Sequence, residues 1–215
     1  MDLTTIAILG GTGNLGSALA ARLARPRVRV ILGSRDADRA RAVANNLNGL
    51  LGTVAVEGKL NTDAVREAEY VVIAVPYEGH ATILKELAGR LTGKVVIDAV
   101  VPLKKGLPFV PAAGSVLLEA QELLGPDVAV VGALHNISAL DLQDANAALG
   151  DVLVCGDNED AKLKVMTMVE KIGARSFDAG PAATAYVIEG LTGVLVQLNR
   201  RYKSKHAGVK IFGID

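Results

Sequence analysis

Among 215 residues there is one cysteine, Cys155. A lone thiol excludes an internal disulfide, and with no secretory leader in view it points to a reducing cytoplasm. The first strand is expected almost at Met1, which leaves no room for a targeting segment. Charge of one sign is lacking too: 23 Lys and Arg balance 23 Asp and Glu. A zero formal net charge argues against bulk nucleic-acid binding. No apolar run reaches the ~20 residues of a membrane span. The longest candidate, Tyr186 to Leu198, is broken by Glu189, Gly190 and Gly193. Several catalytic signatures are also missing. Tyr70, Tyr77, Tyr186 and Tyr202 are the only tyrosines, and none has a lysine four residues on, so the Tyr-x-x-x-Lys proton donor of short-chain dehydrogenases is absent. His80, His135 and His206 have no second histidine or cysteine nearby, so no metal site is expected. Neither G-x-S-x-G nor G-x-x-x-x-G-K-[ST] occurs. Hydrophobic residues make up 50% of the chain and charged ones 21%, a globular composition that excludes disorder.

What the chain does have is a glycine turn in the right context. Ile6-Ala-Ile-Leu precedes Gly10-Gly-Thr-Gly-Asn-Leu-Gly, and Ser17-Ala-Leu-Ala-Ala-Arg-Leu-Ala follows. That order is buried strand, tight turn and helix start, with G-x-G-x-x-G at Gly11, Gly13 and Gly16. Gly11 is expected to allow the sharp turn, Gly13 to let a pyrophosphate approach, and Gly16 to let the helix pack on the strand. The helix then aims free N–H groups and its positive dipole end at the phosphates. A turn that binds nothing is the plainer alternative.

A second strand, Val28 to Leu32, ends in Gly33-Ser34-Arg35-Asp36-Ala37-Asp38-Arg39. An NAD site usually carries an acid at this strand tip, for the ribose 2′-hydroxyl. Here Ser34 and Arg35 stand there, a hydroxyl and a guanidinium suited to a 2′-phosphate, with Arg39 one helical turn further. Asp36 is expected to cap the helix that runs to Asn48. These residues favour NADP over NAD.

Further along, Thr53 to Val56 is expected as a weak third strand and Asn61 to Ala68 as a short helix. Tyr70 to Val75 is a continuous apolar strand, as in a parallel sheet covered on both faces. It ends in Pro76-Tyr77-Glu78-Gly79-His80. Ligands of doubly wound sheets sit outside the carboxyl ends of the strands, so Val75, Pro76 and Tyr77 are candidates to wall a nicotinamide. His80 either touches cofactor or is an exposed residue of a helix's first turn. Ile83, Leu84, Leu87 and Leu91 give that helix an apolar face. A fifth strand covers Lys94 to Val100. Val101 and Pro102 open a long loop, to Pro111, of a length often functional in compact domains. A helix over Ser115 to Leu124 and a sixth strand over Val128 to Leu134 lead to His135-Asn136-Ile137-Ser138. Val152 to Cys155 is a strand, with Cys155 read as a small buried residue. A helix runs from Ala161 to Ile172, Arg175 to Phe177 is a candidate to close the sheet, and a last helix covers about Thr184 to Tyr202. The result is a Rossmann-type doubly wound α/β fold, with residues 1–180 as the dinucleotide-binding domain and 181–215 as a short C-terminal helical part. With so little acid–base equipment the chain reads as a hydride-transfer protein whose second substrate is itself an organic cofactor.

Several blocks together carry a resemblance that spans nearly the whole chain. Gly10-Gly-Thr-Gly-Asn-Leu-Gly, Gly33-Ser-Arg, Val75-Pro-Tyr-Glu, Ala133-Leu-His-Asn-Ile, Val154-Cys-Gly-Asp and Asp178-Ala-Gly-Pro resemble the F420-dependent NADP oxidoreductase family. That family moves hydride between NADPH and coenzyme F420, a 5-deazaflavin with a phosphate and an oligoglutamate tail. The resemblance implies that Thr12, Asn14 and Leu15 hold the pyrophosphate, and that Ser34, Arg35 and Arg39 hold the 2′-phosphate. It implies that Val75 and Pro76 face the nicotinamide, and that His135, Asn136 and Ile137, beside Ala133, lie at the deazaflavin. His135 is the candidate catalytic residue, bonding the ring system, or else a buried structural histidine. The basic residues Arg200, Arg201, Lys203, Lys205 and Lys210, with no acid before Asp215, either steer the anionic tail or sit as a solvated helix end; Lys104 and Lys105 carry the same pair of readings.

Two other functions stay open on the residues alone. One is an NADPH-dependent reductase of another acceptor, a flavin, an imine or ferric iron, although the length leaves no space for an imine reductase's helical domain. The other is a non-catalytic NADP-sensing module that binds a partner protein. Neither nucleic acid nor membrane is an expected partner. A homodimer is expected through the last helix, where Val187, Ile188, Leu191, Val194, Leu195 and Leu198 form an apolar face and Gly190 and Gly193 permit close approach.

Overall fold

A computed structural model describes residues 4–214. Met1 and Asp215, which entered the reading of the two ends, lie outside the described residues. The chain folds in the order β1 (Thr4–Leu9), α1 (Asn14–Leu23), β2 (Val28–Ser34), α2 (Ala37–Leu51), β3 (Val56–Leu60), α3 (Asn61–Glu67), β4 (Tyr70–Ile73), α4 (Tyr77–Leu87) and β5 (Val95–Asp98). A small hairpin follows, β6 (Leu103–Lys104) and β7 (Leu107–Pro108), then α5 (Val116–Leu124), β8 (Ala129–Gly132), α6 (Ala139–Gln143), β9 (Val152–Val154), α7 (Glu159–Lys171), β10 (Ser176–Asp178) and α8 (Ala185–Arg201). Six strands form one sheet in the order β3-β2-β1-β4-β5-β8, all parallel. It is the expected doubly wound architecture, and the strand order reverses between β1 and β4.

Alternation along β1 shows why the strands read as apolar throughout. Ile6 and Ile8 belong to the core on one face, with Leu19, Leu32, Val165 and Val169. Ala7 and Leu9 belong to the other, with Ile31, Leu84, Leu87, Leu117 and Ile188. Successive side chains point to opposite faces and both faces are covered by helices, so no polar position is left.

Three expectations need correction. β3 lies at Val56–Leu60, sharing only Val56 with the range expected for it. It is an edge strand whose exposed face is ionic: Arg29 Nε is 2.5 Å from Glu57 Oε1, Arg29 Nη2 2.7 Å from Glu67 Oε2, and Lys59 Nζ 2.8 Å from Glu67 Oε1. Charged pairing replaces the apolar run that marks the other strands. Its Gly58 lies under α2, where a Cβ would stand 2.2 Å from the Ala40 carbonyl carbon. Second, residues 175–177 do not close the main sheet. β10 pairs with β9 in a separate two-stranded sheet. That sheet is joined to β8 where Gly132 and Cys155 exchange backbone hydrogen bonds of 2.8 and 3.0 Å. Third, the loop from Val101 to Pro111 contains the β6–β7 hairpin, and α6 was not expected at all. Arg22 of α1 holds α6 by donating to the carbonyls of Asp141 and Leu142, at 2.8 and 2.7 Å.

α8 is built into the domain. Ala185 and Ile188 enter the core beneath α5. Glu189, 1% exposed, accepts from the backbone N–H groups of Val116 and Leu117 at 2.9 and 3.0 Å, and so caps the first turn of α5 from another helix. Burial pushes its carboxyl up to about 7, against the pull of those two N–H groups. Replacing Glu189 with Ala leaves two buried donors without partners and is expected to cost about 2–4 kcal/mol. Urea denaturation at neutral pH checks this; a loss within error of zero would show that the cap contributes nothing.

Candidate active site

A cleft of about 640 Å³ opens at the carboxyl ends of β1, β2 and β4. Its floor is the glycine turn. Gly10 carries the left-handed backbone, φ +79°, and a Cβ there would stand 2.4 Å from the Ala74 carbonyl oxygen. The left-handed residue of the turn is therefore Gly10, next to the Gly11 expected to allow the turn. Gly11 serves close packing, its missing Cβ lying 2.7 Å from the Ile8 carbonyl oxygen. Gly16 brings α1 onto the turn, where a Cβ would be 2.6 Å from the Gly10 carbonyl oxygen. Gly13 is different. It is exposed, lines the cleft, and its nearest obstacle is the Gly10 carbonyl oxygen at 3.2 Å. α1 starts just beyond it with no side-chain cap, so the first-turn N–H groups are free for an anion.

The wall on the β2 side carries the cations. Ser34, Arg35 and Arg39 all line the cleft. Asp36 does cap α2, accepting from the N–H groups of Asp38 and Arg39 at 3.0 and 3.1 Å. Its carboxylate is thereby turned to the helix and does not compete for a 2′-substituent. Among the described residues neither the Arg35 nor the Arg39 guanidinium has an ion-pair partner. The opposite wall is Ala74, Val75 and Pro76, followed by Glu78, Gly79, Thr82, Ile83 and Glu86 of α4. The cleft is thus positive at one end and apolar at the β4 corner. It fits a dinucleotide phosphorylated on its adenosine ribose.

Asn61 was missed. It lines the cleft, is 5% exposed, and its Oδ1 has no hydrogen-bond partner among the described residues. The misplaced third strand hid it: with β3 ending at Leu60, Asn61 falls at a strand's carboxyl end, where ligands sit.

Other expected residues are not among those that line this cleft, although Asn14 and Leu15 start the helix whose free N–H groups lie at its floor. His80 is not an exposed first-turn residue; it is fully buried, with Nε2 2.7 Å from Asp98 Oδ2, and it does not line the cleft. Tyr77 is half-buried, its hydroxyl donating to Glu119 Oε2 at 3.0 Å, and its ring meets Phe109 edge-on at 5.1 Å. Asn14 is exposed at the start of α1, with Leu15 half-buried beside it. Val101 and Pro102 follow the end of β5, half-buried and buried. Ala133, His135 and Asn136 are buried beyond β8, with Ile137 packed on the core. Asn136 holds the fold, its Nδ2 donating to the Asp151 carbonyl at 2.6 Å. Of the basic tail, Lys210 is tied to Asp151 at 3.0 Å. Among the described residues no group of three or more His, Cys, Asp and Glu side chains could hold a metal ion, and no helix is long and apolar enough to cross a membrane. Cys155 is buried, its thiol pushed up to about 12 by burial, so it is not a nucleophile.

His135 sits on a strained corner. Leu134 before it has φ +68°, a conformation that non-glycine residues hold only where the surroundings impose it. Thr192 of α8 donates to the His135 carbonyl at 2.7 Å. Neither ring nitrogen of His135 has a partner among the described residues. Burial lowers its pKa to about 4, against the pull of the Asp98 charge, so the ring is neutral across the physiological range.

Two predictions follow from this geometry. Gly13→Val should fold and lose NADPH binding, because its side chain enters the cleft without meeting the turn's backbone at the distances barred at Gly10, Gly11 and Gly16. Isothermal titration alongside a melting curve reads both, and near-normal NADPH affinity would remove the phosphate from this turn. For His135 the unfolded chain binds the proton first, near pH 6.5, so stability falls on acidification from there towards pH 4. Between pH 7 and pH 5 the wild type should lose about 2 kcal/mol more than His135→Leu. Equal losses in chemical denaturation would mean that His135 is solvated.

Comparisons with known proteins give the chain's family. The family model for coenzyme F420-dependent NADP oxidoreductases matches residues 5–102. The F420-dependent NADP reductase of Methanocaldococcus jannaschii is 35% identical over 222 residues, covering 98% of this chain and 99% of the relative. That of Methanothermobacter thermautotrophicus is 34% identical, over 96% and 94%. A crystal structure from Arthrobacter sp. FB24, assigned by name only as an F420-dependent NADP reductase, superposes with a TM-score of 0.81 at 28% identity, over 96% of this chain and 98% of the other.

Proposed function

The chain belongs to the family of F420-dependent NADP reductases, and on that premise we propose that it transfers a hydride between NADP(H) and the 5-deazaflavin coenzyme F420. One observation carries the reading: the open glycine turn, Arg35 and Arg39 with no ion-pair partner among the described residues, and the apolar Val75–Pro76 corner line a single cleft. The two coenzymes supply the chemistry when bound, since a deazaflavin has carbon at its reactive position and carries hydride. The chain's own residues bind, orient and exclude water. Thr12, Gly13, Asn14 and Leu15 hold the pyrophosphate at the start of α1; Ser34, Arg35 and Arg39 hold the 2′-phosphate. Val75 and Pro76 back the nicotinamide. The deazaflavin lies towards Val101, Pro102, Ala133, His135 and Ile137, with α8 and the 181–215 segment completing that side. His135, neutral at working pH, acts as a hydrogen-bond group and not as an acid. Alignment of two flat rings at about 3–3.5 Å is what such a transfer requires.

α8 also leaves Tyr186, Val187, Val194 and Leu198 exposed, and we take this strip as the surface of a homodimer. Gly193 does not belong to it, because its missing Cβ lies 2.4 Å from Pro108 of the hairpin. We place the enzyme in the cytoplasm, on its single cysteine. Val194→Glu should convert the dimer to monomers in sedimentation at micromolar concentration. A monomeric wild type would refute the strip's role and leave the catalytic reading intact.

The test of function is the deazaflavin's visible absorbance, which NADPH should bleach in the presence of the enzyme and leave unchanged in its absence. Arg35→Ala should raise KM for NADPH by ten- to a hundred-fold, about 1.5–3 kcal/mol for a charge-assisted pair, with NADH kinetics unmoved. Equal losses with both cofactors would overturn the 2′-phosphate assignment.

A further inference from the structure

Behind Val75 and Pro76, the residues that back the nicotinamide, stands a fully buried histidine–aspartate pair. Asp98 is the last residue of β5 and is fully buried; His80, in the first turn of α4, is fully buried as well. Asp98 Oδ2 lies 2.7 Å from His80 Nε2. Its Oδ1 accepts from the Val100 N–H at 3.0 Å, and its backbone carbonyl accepts from the Ala133 N–H at 3.1 Å. Through one residue the exits of β4, β5 and β8 are tied together. The exit of β4 is Val75-Pro76-Tyr77, three residues before His80. The exit of β5 leads to Val101 and Pro102. The exit of β8 is Ala133, followed by the strained Leu134 and His135. Glu119 of α5 stands behind the imidazole, its Oε1 3.8 Å from Nδ1, and holds the Tyr77 hydroxyl through its other oxygen.

Burial alone would drive a histidine neutral; the carboxylates of Asp98 and Glu119 outweigh it and raise the His80 pKa. A buried pair of this kind gives little net stability over apolar packing, because desolvation offsets the attraction, but it fixes geometry, since neither partner can move without stranding the other.

We propose that Asp98 and His80 are the positioning pair of the site: they set the β4 corner that backs the nicotinamide in register with the β5 and β8 exits that face the second ring. The inference rests on the reading that Val75 and Pro76 back the nicotinamide. The adenosine end of the cleft, on β2 and α2, touches neither residue, and this separates a positioning role from a general loss of structure.

The experiment uses the full-length chain and the variants Asp98→Asn, His80→Gln and His80→Ala. Binding of 2′,5′-ADP reports the adenosine end, and nicotinamide fluorescence on titration with NADPH reports the other. In Asp98→Asn the affinity for 2′,5′-ADP should stay within about two-fold, while the NADPH emission change falls by half or more and hydride transfer at saturating NADPH slows about ten-fold or more. His80→Gln, which keeps a donor for Asp98, should recover most of what His80→Ala loses. Wild-type nicotinamide emission in Asp98→Asn would overturn the proposal, as would a parallel loss of 2′,5′-ADP and NADPH affinity. If Asp98→Asn does not fold, the two His80 variants decide: equal effects would overturn it. Bleaching of a deazaflavin by the wild type is read separately. Its failure would remove the proposed acceptor, while the nicotinamide emission still decides the role of the pair.

Discussion

Backbone meets backbone at the first turn of this chain more closely than any side chain allows. The missing Cβ positions of Gly10, Gly11 and Gly16 lie 2.4, 2.7 and 2.6 Å from carbonyl oxygens of β4's exit, of β1 and of the turn itself. This contact sets α1 against β1 and β4 and places the helix's N-terminus at the point where strand order reverses. The rest follows from the parallel sheet. Strands that run the same way deliver all their exits to one edge, so the cations after β2, the apolar corner after β4 and the histidine after β8 share it.

That edge is graded in polarity. Arg35 and Arg39 stand at one end, Val75 and Pro76 in the middle, and the neutral, unpartnered His135 beyond them. The gradient suits a reaction in which binding energy comes from phosphates and the reacting centre needs only alignment and dryness. It also accounts for what the chain lacks. A hydride passing between two organic coenzymes needs no metal, no activated nucleophile and no tyrosine–lysine pair, and three ionisable groups behind the centre are held by the fold. Tyr77 is held by Glu119, His80 by Asp98, and Glu189 by the start of α5.

Much of this was legible because local chemistry decided it. The glycine turn, the Asp36 cap and the apolar strands β1, β2, β4, β5 and β8 each carry their signal within a few residues. What was not legible depended on distant partners. β3 was misplaced because its charged residues Glu57 and Lys59 are held by Arg29 of β2, 28 residues from Glu57, and by Glu67 of α3, and Asn61 was lost with it. Neither reading of His80, at the cofactor or exposed, foresaw its burial, because its partner, Asp98, is 18 residues away. α6 has five residues and stands because Arg22 reaches it from α1. The positive φ at Gly10 was not legible, since the pattern G-x-G-x-x-G does not say which of two adjacent glycines carries it.

The central claim is that this protein aligns two rings so that hydride passes directly from the nicotinamide carbon to the deazaflavin carbon, without exchange with solvent on the way. It is tested by running the reaction with NADPH carrying deuterium at both C4 positions and weighing the reduced deazaflavin. The account predicts one deuterium in the product, with none lost to water. A product without deuterium, its new hydrogen drawn from solvent, would contradict it.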